Sequence, residues 1–424
     1  MTVQSSGATY QDILKLSLEQ EGYTGTLDDM LYSKLKAITS EEGTVQDLMM
    51  KYLASIGFDS GAVQDRLAKY LEFFGYTGTN PDMLLTAVKN GVFLDAPVFS
   101  SDLYLDYNRQ LYTASSLTGQ ELLSFSPLHT FTRASDKTYF DQNGDLQVAG
   151  PNVPVFDYDP VTQKFRLSIH SARTNLFLNS QASATQSVTV AAASHTLSFY
   201  GTGEIVLSGA ATGTLTGTGG STDRVTLTFT PSAGTLTLTV VGTEQNVQLE
   251  DGAFATPPII TTGTSANRNA DVVVISGVDA SEWWNVSEGT FVVEYEYPQS
   301  AVSASPFLLS NSTTATTVER IGLIILGVST AFQVRSGGNN YTTTAFNSNI
   351  GRNKVAFSFD GATAKVSPNG ANVLQVAAPV TPTITTALIG SFSSASGFLN
   401  GYVPKILYYT TAVSDAKLQE LSTL

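Results

Sequence analysis

The chain has no cysteine, which removes disulfides, thiolate catalysis and cysteine-based zinc sites at a stroke. Whatever holds it together is burial and hydrogen bonding, in any redox compartment. Charge is scarce as well: 14% of residues are Asp, Glu, Lys or Arg, well under the usual quarter. The basic clusters that phosphate backbones require are missing, and the net charge of −14 argues against nucleic acid and against charge-driven binding to an anionic membrane. No apolar run approaches the ~20 residues of a membrane span. The longest tight stretch, Ile321 to Val328, is broken by Gly322 and Gly327. Met1 to Asp12 is polar and lacks the basic-then-apolar pattern of a signal peptide, so the expectation is synthesis in a cytoplasm without membrane insertion. With only three histidines, His129, His170 and His195, far apart and none in an H-x-x-x-H pair, neither a histidine metal site nor a triad is expected. The glycine-rich run Gly209 to Gly220 lacks the Lys and helix of a phosphate loop. No cofactor motif is present.

What is abundant is Thr, Ser and Gly interleaved with β-branched and aromatic residues, the composition of stacked β-structure rather than of disorder. At 424 residues the chain can bury several cores. Four regions follow from its patterning. Residues 1–92 read as helical with an internal repeat: Gly22-Tyr-Thr-Gly-Thr26 recurs as Gly75-Tyr-Thr-Gly-Thr79, and Asp29-Met-Leu31 as Asp82-Met-Leu84. Gln11-Asp12, Gln46-Asp47 and Gln64-Asp65 open apolar-periodic segments that stop at Gly22, Gly57 and Gly75, matching acidic helix starts and glycine C-caps. Residues 93–176, punctuated by Pro97, Pro127, Pro151, Pro154 and Pro160, read as an irregular β-rich connector. Residues 177–276 alternate strictly. Val225, Leu227 and Phe229 share one strand face, and Leu236, Leu238 and Val240 repeat the pattern after Pro231-Ser-Ala-Gly234, which predicts a hairpin within an antiparallel sandwich. Residues 277–424 predict a second sandwich, with strands at 290–297, 321–326, 331–335, 354–359 and 388–392 and a final helix capped by Ser414. The fold class is thus mostly β, with an α-helical N-terminal domain and two C-terminal antiparallel β-sandwiches.

Several polar constellations invite a chemical reading. Glu294 and Glu296 in F-V-V-E-Y-E-Y fall on one strand face about 7 Å apart, a spacing of interest for glycoside hydrolysis, although a solvated strand face opposite Phe291, Val293 and Tyr295 explains them as well. Asp141, Asn143 and Asp145 alternate oxygen ligands in the way calcium favours, with Asp157 and Asp159 nearby, but Asn143-Gly144 is also a strong hairpin turn. No residue is assigned a catalytic or metal-binding role on these grounds, and no enzyme activity is expected. Trp283 and Trp284, the only tryptophans, are adjacent. On a strand they would point to opposite faces, one to the core and one free to stack on a sugar ring. With Asn285 and the loop residues Asn340 and Tyr341 they are the glycan-binding candidates.

The segment Phe131 to Asn175 is the most distinctive in the chain: R-A-S, then Y-F-D, N-V-P, F-D-Y-D-P and finally A-R-T-N. It resembles the central module of bacteriophage virion-surface proteins, the head spikes and tail fibres. The stretch Glu244 to Thr256, with Arg268-Asn-Ala-Asp271, resembles the carbohydrate-binding-module-like jelly roll of such proteins. The closing G-F-L-N-G-Y-V-P-K-I-L-Y-Y resembles the end of concanavalin-A/laminin-G-like domains. The resemblance implies a structural virion protein, made in the bacterial host and displayed on the particle surface. It implies a homotrimer that contacts other virion proteins through the N-terminal domain and grips a host glycan with lectin-like sandwiches. A capsid-decorating adaptor and a polysaccharide depolymerase are the alternatives.

Overall fold

A computed structural model describes residues 103–108, 111–114, 125–220, 223–281, 283–297, 303–314, 319–347, 349–380 and 382–424. The expected helical repeat of residues 1–92 lies outside them. The chain divides into two units. Of the first, the described part comprises Leu103–Leu105 and the strand Leu111–Ala114. The second, residues 106–108 and 125–424, is almost entirely antiparallel β-structure.

Its first sandwich faces a five-stranded sheet, in the order 224–229, 195–201, 244–251, 173–175 and 266–268, against a four-stranded one, 213–216, 204–209, 234–241 and 186–190. The alternation read from the sequence fills the space between them: Phe177, Leu197, Phe199, Ile205, Leu207, Leu236, Leu238, Val247 and Leu249 form one core, with Val225, Leu227 and Phe229 packed on it. The expected hairpin is not formed. Arg224–Phe229 pairs with 195–201 in one sheet, while Gly234–Val241 pairs with 204–209 and 186–190 in the other. Pro231 to Gly234 is therefore an arch over the sandwich end, tied by the Ser232 amide donating to the Ala210 carbonyl at 2.9 Å. Alternation specifies which face is apolar; it does not specify whether the next apolar face lies beside it or opposite.

In the second sandwich one sheet runs 156–159, 164–169, 401–409, 289–297, 351–359, 363–368 and 374–377. The other runs 339–342, 329–336, 320–326, 307–310, 386–389, 272–276 and 130–132. Phe291 meets Phe307 at 4.9 Å and Phe357 meets Phe332 at 4.7 Å between ring centroids, so aromatic pairs bridge the layers. The predicted C-terminal helix is present at Asp415–Ser422, and the Ser414 hydroxyl accepts from the Lys417 amide. Its Leu418 and Leu421 cover Val292 and Ala356 on the outer side of the first of these sheets.

Residues 125–176 of the expected connector, 93–176, supply strands to both sandwiches. Thr130–Thr132 pairs with 272–274, Leu167–Ile169 with 401–403, and Arg173–Asn175 with 266–268. A buried ionic knot joins these pieces. Asp271 receives Arg133 Nη1 at 3.0 Å, Lys137 Nζ at 2.6 Å and the His170 amide at 2.9 Å. All three side chains, Arg133, Lys137 and Asp271, are fully buried. Burial pushes Lys137 down to about 8 against the pull of Asp271. Arg268 is held by the Ser171 carbonyl and the Thr256 hydroxyl, and Asn175 bonds Val247 and Ile259. The R-A-S, A-R-T-N and R-N-A-D residues therefore satisfy buried backbone and charge where the parts meet.

Candidate functional site

The 137–149 hairpin, the 156–169 hairpin and strand 195–201 enclose a cleft of about 390 Å³ lined by Phe140, Asp141, Gln142, Asn143, Gly144, Asp157, Tyr158, Pro160, Arg166 and Tyr200. Each lining group is set by local chemistry. Asp141 closes the Asp141-Gln-Asn-Gly-Asp145 turn: its Oδ1 accepts the amides of Asn143 and Asp145 at 2.9 and 3.0 Å, and its Oδ2 accepts Gln147 at 2.9 Å. Gly144, at φ 82°, supplies the left-handed residue that the turn needs. The turn in effect projects the exposed side chains of Gln142 and Asn143 over the cleft. Below it, Phe140 and Tyr200 meet edge to face at 5.6 Å, and Tyr158 packs on Phe165 at 5.2 Å, giving aromatic walls.

Asp157 is the half-buried acid lining this site. Burial raises its pKa, opposed by a hydrogen bond from Tyr402, by Arg166 and by the Phe140 amide at 3.2 Å. The phenols respond in the same sense: burial lifts Tyr402 well above its ordinary value, with Asp157 adding to it, and burial also lifts Tyr200. Arg166 lies with its guanidinium 3.9 Å over the Tyr402 ring, Nη1 2.5 Å from Glu296 and 3.4 Å from Asp159. Burial disfavours that cation, but Tyr402 and the three acids around it outweigh the penalty and hold its pKa above the usual value.

The residues singled out from the sequence are dispersed. Trp283 and Trp284 follow the short 3₁₀ turn Val278–Ala280 rather than sitting on a strand. Trp283 is 2% exposed, and Trp284 packs on Phe359 and Tyr408 at 5.6 and 5.5 Å, so the pair plugs the interior of the second sandwich. The Asn285 side chain is engaged at both ends, with Nδ2 donating to the Thr410 carbonyl at 2.7 Å and Oδ1 accepting the Ser287 amide at 3.0 Å. Asn340 and Tyr341 lie on the short strand Asn339–Thr342 at the edge of the other sheet, Asn340 exposed and Tyr341 half-buried. Glu294 stands 3.9 Å from Lys354, and Glu296 pairs with Arg166 and Arg352. That strand face is covered at Glu296, not solvated, and both carboxylates serve ion pairs. Asp159 caps its own turn by accepting Val161 N and Thr162 Oγ1. His129 donates Nδ1–H to the Phe125 carbonyl and receives the Tyr107 hydroxyl, while His170 and His195 sit in separate buried settings. Among the described residues, no group of three or more His, Asp or Glu is arranged to hold a metal. Sequence reasoning weighed Asp157 only as a calcium ligand and passed over Phe140, Arg166 and Tyr200. The Tyr-Phe-Asp and Phe-Asp-Tyr-Asp-Pro phrases were the available signal.

The described residues are thus mostly β, forming paired antiparallel sandwiches with an aromatic-and-acid cleft at their junction. No protein-family model and no curated protein sequence matches the chain. Among solved structures, it is similar over part of its length to the CBM40 of the Ruminococcus gnavus IT-sialidase bound to α2,3-sialyllactose. The identity is 16% and the TM-score 0.29, over 33% of this chain and 84% of that one. It is similar also to the NanB sialidase of Streptococcus pneumoniae, at 16% identity and TM-score 0.30, over 35% of this chain and 26% of that chain. A third is the binding domain of Botulinum neurotoxin DC in complex with rat synaptotagmin II, at 8% and 0.29, over 36% and 40%. At these values the likenesses carry no argument about function.

Proposed function

We propose that the chain is a non-enzymatic surface protein of a bacteriophage particle, of fibre or spike type, whose β-sandwiches hold a host-cell glycan. In this reading residues 1–92 dock onto other virion proteins, and the assembled form is a homotrimer. The observation that carries the reading is the cleft itself. Three aromatic side chains, Phe140, Tyr158 and Tyr200, flank the carboxyl of Asp157, with two exposed amides at the rim. Aromatic faces with convergent hydrogen-bonding groups are what a saccharide's C–H faces and hydroxyls require. The cleft is built largely from the segment that resembles fibre proteins. Asn340 and Tyr341 stay as a second contact region. Binding of the full-length chain to saccharide fragments from bacterial surfaces, compared with Gln142→Ala and Asn143→Ala, tests the reading. Weakening of roughly tenfold in the variants supports it. Retention of full affinity refutes the cleft as the site, and release of new reducing ends would transfer the protein to the depolymerases.

A further inference from the structure

Resting on the glycan reading above, we propose that the cleft takes an uncharged saccharide and excludes acidic ones. The charges facing the cleft are those of Asp141, Asp157 and Arg166. Arg166 would be the natural partner of a sugar carboxylate, but its charge is already met by acids of the fold. Glu296 lies 2.5 Å and Asp159 3.4 Å from the same Nη1, and the guanidinium plane rests on Tyr402. An incoming carboxylate would have to compete with two acids built into the fold, and it would approach Asp157 as well. Like charges at such a site are the standard device for rejecting a ligand.

The remaining groups suit hydroxyls. A carboxylate offers about four acceptor positions, and Asp157 uses two of them, on the Phe140 amide and the Tyr402 phenol. The others are available to sugar hydroxyl donors. Gln142 and Asn143 present carboxamides, which donate and accept without bringing charge. The net charge of −14 reinforces the discrimination at longer range.

Calorimetric titration of the full-length chain checks this with two panels of equal chain length: uncharged hexose and N-acetylhexosamine oligomers, and hexuronate oligomers. Binding is expected in the uncharged panel, with hexuronates at least tenfold weaker. Asn143→Lys, on the exposed turn, gives up a carboxamide contact and adds a cation, and is expected to raise the ratio of hexuronate to uncharged-ligand affinity several-fold. Hexuronates that bind as tightly as, or more tightly than, uncharged oligomers overturn the inference and leave the glycan reading standing. An Asn143→Lys variant that leaves this ratio unchanged also overturns it. Silence from both panels overturns the glycan reading and this inference with it.

Discussion

Replacing Asp271 by alanine removes the carboxylate on which Arg133, Lys137 and the His170 amide converge. The two cations respond differently. Lys137, already pushed down to about 8 by burial against the pull of Asp271, moves lower still once that carboxylate is gone and can shed its proton near neutral pH. Arg133 has no such escape, because a guanidinium stays charged, and its side chain is fully buried. Its remaining acceptors, the carbonyls of Ser135 and Gly150 at 2.8 Å, satisfy hydrogen bonds without neutralising charge. Removing one partner of such a pair costs about 3–5 kcal/mol. For a cooperative unit of a few hundred residues that corresponds to a fall in Tm on the order of 10 °C. Differential scanning calorimetry and urea titration of the full-length protein read the effect. The double variant Arg133→Met with Asp271→Leu is expected to recover most of the loss, since an apolar pair of similar volume asks for no counter-charge. A loss under about 1 kcal/mol in Asp271→Ala, or a double variant as unstable as the sum of its parts, would refute the view that this knot holds the junction together.

Acid should weaken the protein. Burial pushes His129 down to about 4 and His170 well below its usual value, the latter with help from Lys137. The unfolded chain therefore takes up protons near pH 6.5 that the folded chain refuses until about pH 4, so stability is full above 6.5 and drains as pH falls through that window. Asp157, shifted upward by burial, opposes the trend. A Tm that is flat or rising from pH 6.5 to 4.5 contradicts the neutral-histidine assignment, and His129→Asn should flatten part of the slope. Leu238→Ala, at a fully buried position of the first sandwich, is expected to cost about 2–5 kcal/mol by urea unfolding; a cost under 1 would place that strand outside the core. Gly401→Ala drives a Cβ into the Glu296 carbonyl across the ladder, so a clear drop in Tm is expected, and wild-type stability would mean that the two strands sit further apart.

How far the sequence could be read depended on distance along the chain. The strands expected at 290–297, 321–326, 331–335 and 354–359 and the Ser414-capped helix were legible because each is written in local periodicity and capping chemistry, whereas the one expected at 388–392 is Thr386–Ile389. The partner of Arg224–Phe229 was not, because an arch and a hairpin share the same turn residues and the same alternation. Strand geometry was assumed for Trp283 and Trp284, which instead follow the 3₁₀ turn Val278–Ala280 and lie on no strand. The cleft was illegible for a different reason: Phe140, Asp157, Arg166 and Tyr200 come from separate hairpins and strands, and Tyr402 reaches Asp157 from far along the chain. The fibre-like segment stood out as a unit, yet nothing in its local pattern marks Arg133 and Lys137 as interior, and only long-range packing with Asp271 reveals them as buried ions.

The antiparallel ladders that stitch 130–132 to 272–274 and 167–169 to 401–403 have a mechanical consequence. Tension applied at residue 125 meets the strand Thr130–Thr132 within a few residues. The residue pairs joining 130–132 to 272–274 must part before the chain beyond them can lengthen. A molecule held at one end and gripping a surface through the cleft would transmit a pull as a stiff strut, and the rupture it risks first would be at the gripped ligand.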